Sequence, residues 1–367
     1  MKLKIQREVF LQPLTQVVGV VERRQTLPVL ANFLLVARDG KLAVTGTDME
    51  VELVASVAAE IEQDGEITVP ARKLVDIVRA LPDGSTIGLA VSGEKATLTA
   101  GRSRFTLATL PATEFPATEQ VEAVEKVTIP EAELKHLVDK TSFAMANQDV
   151  RYYLNGLLLD FRGGKLRTAA TDGHRLAVCD TESDIGFEQE RQMIVPRKGV
   201  LELARMLSDD AKEPVTLAIG RNHVRLAKGD TIFTSKLIDG RFPDYEAVIP
   251  VGADRQILVD RDGFVHALQR AAILSNEKYR GVRLEASDHS LKIVAHNPQH
   301  EEAVEEIEAE LNFDHLAIGF NVTYLLDALG AIDSETVSLE LRDANSSCLI
   351  TTPGSDLNRH VVMPLKL

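Results

Sequence analysis

The sequence has few large aromatic residues and few cysteines: it contains no tryptophan, five tyrosines and two cysteines among 367 residues. Cys179 and Cys348 lie far apart and form no CxxC pair. This spacing indicates neither a disulfide framework nor a thiolate metal site. We expect both cysteines to be reduced and buried.

Long apolar runs are also missing. No segment approaches the roughly 20 apolar residues needed to cross a bilayer, and the start, MKLKIQREVF, lacks the apolar centre of a secretory signal. The composition, 44% hydrophobic and 26% charged, is sufficient for sizeable buried cores. We therefore expect a globular, cytoplasmic protein without a membrane span.

The motifs on which most catalysis depends are absent from the sequence. No glycine-rich phosphate loop, His-rich metal run or nucleophile elbow occurs. The stretch TDGHRLAV, residues 171–178, sets Asp172 beside His174 as a general acid–base pair would. No serine, cysteine or metal ligand accompanies the pair at a suggestive spacing, and such a bare pair is more often a turn. We predict no enzyme, no cofactor and no metal site.

Positive charge is in deficit, since 41 Lys and Arg face 55 Asp and Glu and leave a net charge of -14. Proteins that bind nucleic acid usually show a basic footprint. The deficit argues against such binding unless the cations are gathered on one surface and the acids on another.

The sequence does contain a threefold internal repeat. The stretches ITVPARKLVDIVRAL, MIVPRKGVLELARML and IGFNVTYLLDALGAI align with Pro70, Pro196 and Asn321 in one column. The spacings are 196 − 70 = 126 and 321 − 196 = 125 residues. Apolar residues follow at i, i+1, i+4 and i+7, which predicts one helix in each copy.

An earlier helix is predicted in each copy from apolar residues at i, i+3, i+4 and i+7. Its stripes begin at Leu14, Leu134 and Phe264, the first of them running to Val21. Short alternating segments between the two helices are typical of strands joined by tight turns. We predict three copies of one α+β domain over residues 1–122, 123–250 and 251–367, each with two helices against antiparallel sheets.

Cations recur on the later helices of the first two copies. A single helix with basic residues on one face is usually only solvated there, but recurrence at the same repeat position favours a functional basic surface. Acids concentrate elsewhere, for example in EEAVEEIEAE, and Gly330 breaks the basic pattern in the third copy. The recurring cations and their neighbours are Arg72, Lys73 and Arg79, then Arg197, Lys198 and Arg205.

Long strings of this sequence resemble the family of the bacterial DNA polymerase III β subunit, the replicative sliding clamps. The strings TGTD, VPARK, QDVRYYLNG, ATDGHRLAVC, FTSKLIDGRFPDY, AAILSNEKYRGVRL and VVMPLKL are spread over essentially the whole chain. The resemblance implies three clamp-type domains and a head-to-tail homodimeric ring around duplex DNA, with helices lining the hole. It also implies a processivity factor that tethers the replicative polymerase.

Geometry favours two chains over one for encircling DNA, if the helices line the hole. Six helices spaced about 9 Å apart would leave roughly 6 Å clear, whereas twelve would leave roughly 23 Å. A duplex fits only the second ring, because the major groove alone is about 12 Å wide.

The resemblance implies DNA contacts that neutralise phosphates without reading bases, which is compatible with sliding. For the adjacent tyrosines an alternative stays open, in which one is exposed and the other is a core residue of a strand. The DNA-contacting positions are Arg24, Arg72, Gln148, Tyr152, Tyr153 and Arg197.

The resemblance further implies a groove between the second and third domains that accepts short peptides of several partners. These are the polymerase III catalytic subunit, clamp-loader subunits, and other polymerases and repair proteins. This chain has Glu246 and Ala247 where some relatives have basic residues, and Tyr279 where some have phenylalanine, which leaves partner preference open. The groove walls are Leu154, Thr171, Gly173, His174, Arg175, Leu176, Pro243, Val248, Tyr324, Val361, Val362, Met363, Pro364 and Leu365.

A dimer seam is predicted between an edge strand of the first copy and one of the third. Arg102 and Arg104 stand at alternate positions of GRSRFTLATL, and the acids opposite them would be Glu301, Glu302, Glu305 and Glu306. Apolar contacts would join Phe105 and Leu107 to Ile273 and Leu274.

Two other classes of function stay open from the sequence. One is an adaptor that binds only proteins, and the other is an enzyme that uses His174.

Overall fold

The structure is a computed structural model that describes residues 1–22, 27–116, 122–182 and 184–366. The chain divides into two compact units. Unit 1 comprises Met1–Ala132 and Lys198–Leu237, and unit 2 comprises Glu133–Arg197 and Ile238–Leu367. The domain boundaries near residues 122 and 250 stay a prediction. None of the described helices is long and apolar enough to span a membrane.

One order of elements recurs three times along the chain: a strand, a helix, several strands, a second helix and a final set of strands. The first copy has β1 Lys2–Gln6, α1 Arg7–Val17, β2 Asn32–Arg38, β3 Lys41–Thr47, β4 Val51–Ala58, β5 Glu60–Gln63, β6 Gly65–Pro70, α2 Ala71–Ala80, β7 Thr86–Ser92, β8 Lys95–Ala100 and β9 Ser103–Ala108. The second has β10 Glu125–Pro130, α3 Glu131–Thr141, β11 Gly156–Arg162, β12 Lys165–Thr171, β13 Arg175–Asp180, β14 Arg191–Pro196, α4 Arg197–Met206, β15 Pro214–Ile219, β16 His223–Lys228 and β17 Thr231–Lys236. The third has β18 Arg255–Asp260, α5 Arg261–Ala272, β19 Gly281–Ser287, β20 Ser290–His296, β21 Glu302–Glu308, β22 Glu310–Leu311, β23 His315–Asn321, α6 Val322–Gly330, β24 Thr336–Leu341, β25 Cys348–Thr351 and β26 Asn358–Val362. The recurrence confirms the α+β repeat.

Unit 1 contains two antiparallel sheets. Their strand orders are β5-β1-β7-β8-β9 and β10-β15-β16-β17-β4-β3-β2-β6. The larger sheet runs from the first copy into the second where β4 pairs with β17, with Val51 opposite Ser235. Helix α1 contacts α2 and strand β4 of this unit, and its Phe10 and Leu14 are fully buried.

Unit 2 repeats this design with strands of the second and third copies. Its sheets have the orders β14-β11-β12-β13-β26-β25-β24-β18-β22 and β21-β20-β19-β23. The second copy joins the third where β13 pairs with β26, with Arg175 opposite Val362. A continuous apolar core, which includes Phe264 of α5 and Leu325 of α6, lies under these sheets.

The helices are shorter than their apolar stripes predict. Helix α1 ends at Val17, yet Val20 and Val21 beyond it are buried. Helix α2 likewise ends before the buried Leu81. An apolar pattern predicts which residues are buried, and burial continues after the helical hydrogen bonds stop. The pattern therefore extends beyond the end of the helix. Both cysteines are buried free thiols, as expected.

Candidate functional site

A cavity of about 370 Å³ lies beside the paired strands β13 and β26 of unit 2. Its floor is the buried apolar cluster that includes Leu158, Leu176 and Val361. Polar groups stand around the apolar floor, as is usual where proteins bind ligands. The lining residues are Arg151, Tyr153, Leu154, Thr171, Gly173, Arg175, Leu176, Pro243, Asp244, Tyr245, Val248, Ser347, Val361 and Met363.

Nine of the fourteen positions proposed for the peptide groove line this cavity. The other five are His174, Tyr324, Val362, Pro364 and Leu365. Sequence reasoning did not include Asp244, Tyr245, Ser347, Arg151 or Tyr153 in the groove, and it assigned Tyr153 to DNA contact instead. The FPDY string marked the first two, because they directly follow Pro243, whereas Ser347 depends on strand register.

The stretch TDGHRLAV forms a tight turn and the start of a strand. The Asp172 carboxylate accepts hydrogen bonds from the backbone N–H groups of His174, at 2.9 Å, and Arg175, at 3.1 Å. Gly173 has φ +88°, and a Cβ there would lie 2.9 Å from the Arg151 guanidinium. Asp172 therefore shapes the backbone, as an Asx turn does, and does not orient the His174 imidazole.

Arg175 holds the turn against the third copy. Its Nε donates to Asp172 at 3.1 Å, its Nη2 donates to the Phe143 carbonyl at 3.0 Å, and its Nη1 pairs with Asp327. The guanidinium also lies over the Tyr324 ring, 4.6 Å from the centroid. His174 stacks on the same ring with centroids 6.4 Å apart. His174 and Tyr324 thus form a rim beside the cavity.

The last described residues are held by hydrogen bonds beyond the end of β26. Met363 N–H donates to the His174 carbonyl at 3.0 Å, and Leu365 N–H donates to the Gly319 carbonyl at 2.7 Å. Val362 is buried in the core of unit 2, while Met363 is 49% exposed over the cavity. Strand β26 ends at Val362, and these two hydrogen bonds hold the residues after it without strand pairing.

The predicted DNA contacts fall in different places. Arg24 lies outside the described residues. Arg72 is exposed at the start of α2 and donates to the Val21 carbonyl at 2.9 Å in unit 1. In unit 2, Arg197 donates to the Met145 carbonyl at 3.0 Å, which holds it beside the segment that carries the exposed Gln148.

The two adjacent tyrosines have different environments. They form a short 3-10 turn, Tyr152–Leu154, and not a strand as the alternative supposed. Tyr152 is 57% exposed, whereas Tyr153 is half-buried and packs on the groove's apolar cluster. Only Tyr152 is free to offer a ring face to a ligand outside the groove.

Several helix cations of the predicted basic surface are already engaged within the chain. Lys198 contacts Glu22 at 2.9 Å and also pairs with Asp48. Lys73 and Arg79 form no ion pair with the described residues. The basic surface is therefore smaller than the cation count suggests. Arg205 of α4 pairs with Glu202, and cations of the earlier helices are engaged as well: Lys135 with Asp139, Lys140 with Asp333, and Arg270 with Glu305.

The strands of the predicted dimer seam are both sheet edges. Strand β9 ends the five-stranded sheet and β21 ends the four-stranded sheet. Arg102 and Arg104 are exposed, Phe105 is half-buried and Leu107 is buried. An edge strand has unpaired backbone N–H and C=O groups and so can pair with another chain.

The third-copy side of the seam is more mixed. Ile273 is 77% exposed and Leu274 is half-buried. Glu302 and Glu306 are exposed along β21. Glu305 faces α5 instead and accepts two hydrogen bonds from Arg270, at 2.9 and 2.6 Å, which lower the pKa of Glu305. Glu301 accepts a hydrogen bond from Asn297.

Comparison with known proteins gives matches over nearly all of the chain. Three family profiles of the DNA polymerase III beta subunit match: the N-terminal domain over residues 1–119, the central domain over 128–244 and the C-terminal domain over 246–366. The beta sliding clamps of Pseudomonas aeruginosa and Escherichia coli K12 are 53% and 48% identical, with 100% of each chain covered. The crystal structure of DNA polymerase III subunit beta from Pseudomonas aeruginosa superposes with a TM-score of 0.94 at 53% identity and full coverage. That of the Bartonella birtlesii sliding clamp bound to griselimycin superposes with a TM-score of 0.96 at 38% identity and full coverage. The chain therefore belongs to the DNA polymerase III beta subunit family.

Proposed function

We propose that this chain is a processivity clamp that encircles duplex DNA as a head-to-tail homodimer. It tethers the replicative polymerase and other DNA-processing proteins through the groove of unit 2. It is a binding protein and not an enzyme. Its place of work is the cytoplasm, at the replicating nucleoid.

The observation that carries the proposal is the groove itself, within a chain of this family. An apolar cavity with an exposed Met363 and Val248 at its mouth suits a short peptide with apolar anchors. A flexible methionine adapts to different side chains, so several partners can use one site. Clamp-loader subunits, the polymerase III catalytic subunit and repair proteins are the partners that such a site would serve.

DNA contact on this proposal is sequence-independent. Arg24, Arg72 and Arg197 would meet phosphates, Gln148 would add a polar contact and Tyr152 a ring contact. Tyr153, which packs on the groove's apolar cluster, would support this turn from behind. Backbone contacts position a protein on a duplex without reading bases, which permits sliding. Each phosphate that these cations neutralise releases counterions from the DNA, so DNA binding should weaken as the salt concentration rises.

The ring would close where β9 of one chain meets β21 of the next. Arg102 and Arg104 would face Glu301, Glu302 and Glu306, while Phe105 and Leu107 would pack toward Ile273 and Leu274. Glu305 would contribute through Arg270, its partner within the chain. Complementary charge at the rim fixes register and orientation, and the apolar pairs exclude water.

Primer extension on a long single-stranded template tests the proposal, with polymerase III core and clamp loader from the same organism. Val248→Asp places a charge on a groove side chain that is 56% exposed, so the fold should tolerate it. Val251→Asp is the matched control, because Val251 is 89% exposed and does not line the cavity. Long products with the unaltered chain and the control, and short products with Val248→Asp, are expected. Equal product lengths with all three chains would refute the tethering role of the groove.

A further inference from the structure

One wall of the groove is a segment without sheet structure, residues 239–250. It brings Pro243, Tyr245 and Val248 to the cavity. The backbone hydrogen bonds of this segment within the described chain are local: Val248 N–H to the Tyr245 carbonyl at 3.3 Å and Ile249 N–H to the Glu246 carbonyl at 3.2 Å. Side chains, not backbone pairing, must therefore hold the wall in place.

Two aromatic side chains anchor the start of the wall. Phe242 and Tyr245 are 5% and 4% exposed and belong to the apolar cluster under the groove. The Tyr245 hydroxyl donates to the buried Asp160 carboxylate at 2.8 Å. These contacts fix the wall up to Tyr245, but Val248, at the mouth of the groove, lies one 3-10 turn further on.

Glu246 supplies the anchor in that turn. Its Oε1 accepts from Arg162 Nη1 at 3.1 Å and also from Arg167 Nη1. Charge-assisted hydrogen bonds of this kind are about twice as strong as neutral ones. One carboxylate oxygen thus ties the outer turn of the wall to two strands of the nine-stranded sheet.

The two arginines are themselves held in place by the sheet. Arg167 is opposite Asp180 across β12 and β13, and its Nη2 donates to that carboxylate at 3.1 Å. Arg359 of β26 donates to the same Asp180 at 2.6 Å. Arg162 pairs with Asp160, the acceptor of the Tyr245 hydroxyl. Glu246 therefore binds a preorganised pair of guanidinium groups.

The cluster balances in charge only when Glu246 is present. It contains three guanidinium groups, Arg162, Arg167 and Arg359, and three carboxylates, Asp160, Asp180 and Glu246. Without the Glu246 carboxylate, the arginines carry an excess positive charge under a wall that has lost its outer attachment.

We propose that Glu246 is a positioning residue for partner binding: its bridge to Arg162 and Arg167 holds Val248 at the distance from the fixed Tyr245 that a bound peptide needs. This rests on the proposed function of the groove. The residue acts through the wall and need not touch the peptide. Loss of the bridge leaves a wall that must be ordered when the peptide binds, and that ordering lowers affinity.

Fluorescence anisotropy tests this with the full-length protein. The probe is a labelled synthetic peptide with the clamp-binding motif of the same organism's polymerase III catalytic subunit. Glu246→Gln keeps the size and removes the charge, and Glu246→Lys places a cation against two arginines. Asp239→Asn is the matched control, because Asp239 is exposed at the start of the same segment, does not line the cavity and pairs with neither arginine.

We expect Glu246→Gln to weaken peptide binding roughly threefold to tenfold, mainly through faster dissociation. Glu246→Lys should weaken it further, and Asp239→Asn should stay within about twofold of the unaltered chain. In an Arg162→Gln background the effect of Glu246→Gln should shrink, because one partner of the bridge is already gone. The lifetime of already loaded protein on circular DNA should not change in any of these variants, because the ring and not the groove would hold it there.

Two results would overturn the inference alone. Equal affinities of the unaltered chain and Glu246→Gln would remove the positioning role, and equal losses in Glu246→Gln and Asp239→Asn would assign the effect to the negative charge of the wall. If the unaltered chain failed to bind the peptide, the proposed function of the groove would fall and the inference with it.

Discussion

The guanidinium carbon of Arg175 lies 4.6 Å from the centroid of the Tyr324 ring, and the same guanidinium pairs with Asp327 one turn further along α6. A single cation therefore ties the groove turn to the third copy. In unit 1 the first two copies join where β4 pairs with β17, and the arrangement there is reversed, because Lys198 of α4 reaches the turn residue Asp48. Each of these two junctions between copies therefore has one cation that bridges a turn and a helix. In unit 2 the turn supplies the cation, and in unit 1 the helix supplies it.

Replacing Arg175 should damage both stability and partner binding. The Arg175 side chain is 13% exposed, so Arg175→Met leaves the carboxylates of Asp172 and Asp327 without their partner. We expect the free energy of unfolding to fall by roughly 1–3 kcal/mol, measured by urea denaturation, and peptide affinity to fall with it. Arg342→Met is the control, because that side chain is 69% exposed and should change stability by less than about 0.5 kcal/mol. Equal small effects of both changes would contradict a central role for Arg175.

The two tyrosines should separate DNA contact from groove integrity. Tyr152→Ala removes an exposed ring and should lower DNA retention while stability changes by less than about 0.5 kcal/mol. Tyr153→Ala removes a ring that packs on the groove's apolar cluster and should cost about 1–3 kcal/mol and weaken peptide binding. Urea denaturation, peptide anisotropy and DNA retention on both variants check this division. Identical behaviour of the two variants would count against it.

His360 should make the protein sensitive to mild acid. Its side chain is fully buried, both ring nitrogens lack hydrogen-bond partners among the described residues, and burial, with a smaller effect of Lys140, lowers the pKa of His360 to about 3. The folded protein keeps this imidazole neutral, whereas the unfolded chain binds a proton below a pH of about 6.5. Stability from this group is therefore complete above about pH 6.5 and is lost as the pH falls towards 3, by about 1.4 kcal/mol for each unit.

The comparison with His360→Leu isolates this contribution. Urea midpoints measured at pH 7 and pH 5 should fall less in the variant than in the unaltered chain, because the variant has no proton to bind at this site. Parallel pH dependences in the two proteins would show that His360 does not govern the acid response.

The dimer seam should depend on the two arginines near β9. Arg102→Glu together with Arg104→Glu brings like charges toward Glu302 and Glu306, so sedimentation should show monomers. Arg38→Glu, an exposed change in the eight-stranded sheet of unit 1 and so in neither edge strand, should leave the dimer intact. A persistent dimer in the double variant would place the seam elsewhere.

Much of the fold was predictable because the repeat presents each pattern three times. Helix positions followed from apolar spacing, but helix ends did not, since Val20, Val21 and Leu81 are buried beyond the helical segments. The turn at Asp172 was foreseeable from local chemistry, because its hydrogen bonds span two and three residues. The partners of Arg175 were not, because Phe143 and Asp327 meet it only through tertiary packing.

The candidate site shows the same limit. The resemblance supplied most groove positions, yet Ser347 enters through the register of β25 against β26, which no local pattern records. Glu305 was predicted as an acid of the dimer seam, and its bond to Arg270, set by strand alternation, was not foreseen. Side chains alternate along β21, so Glu305 lies on the opposite face of the strand from Glu302 and Glu306. Which of the two faces is turned toward α5 depends on tertiary packing.

The central claim is topological linkage to DNA, and the direct measurement is retention after loading by the cognate ATP-driven clamp loader. The protein is loaded on a nicked circular plasmid, and half of the sample is then linearised. The account predicts that the protein stays on the circle and is lost from the linear molecule, because a ring slides off free ends. Equal retention on both forms, or none on either with an active loader, would contradict it.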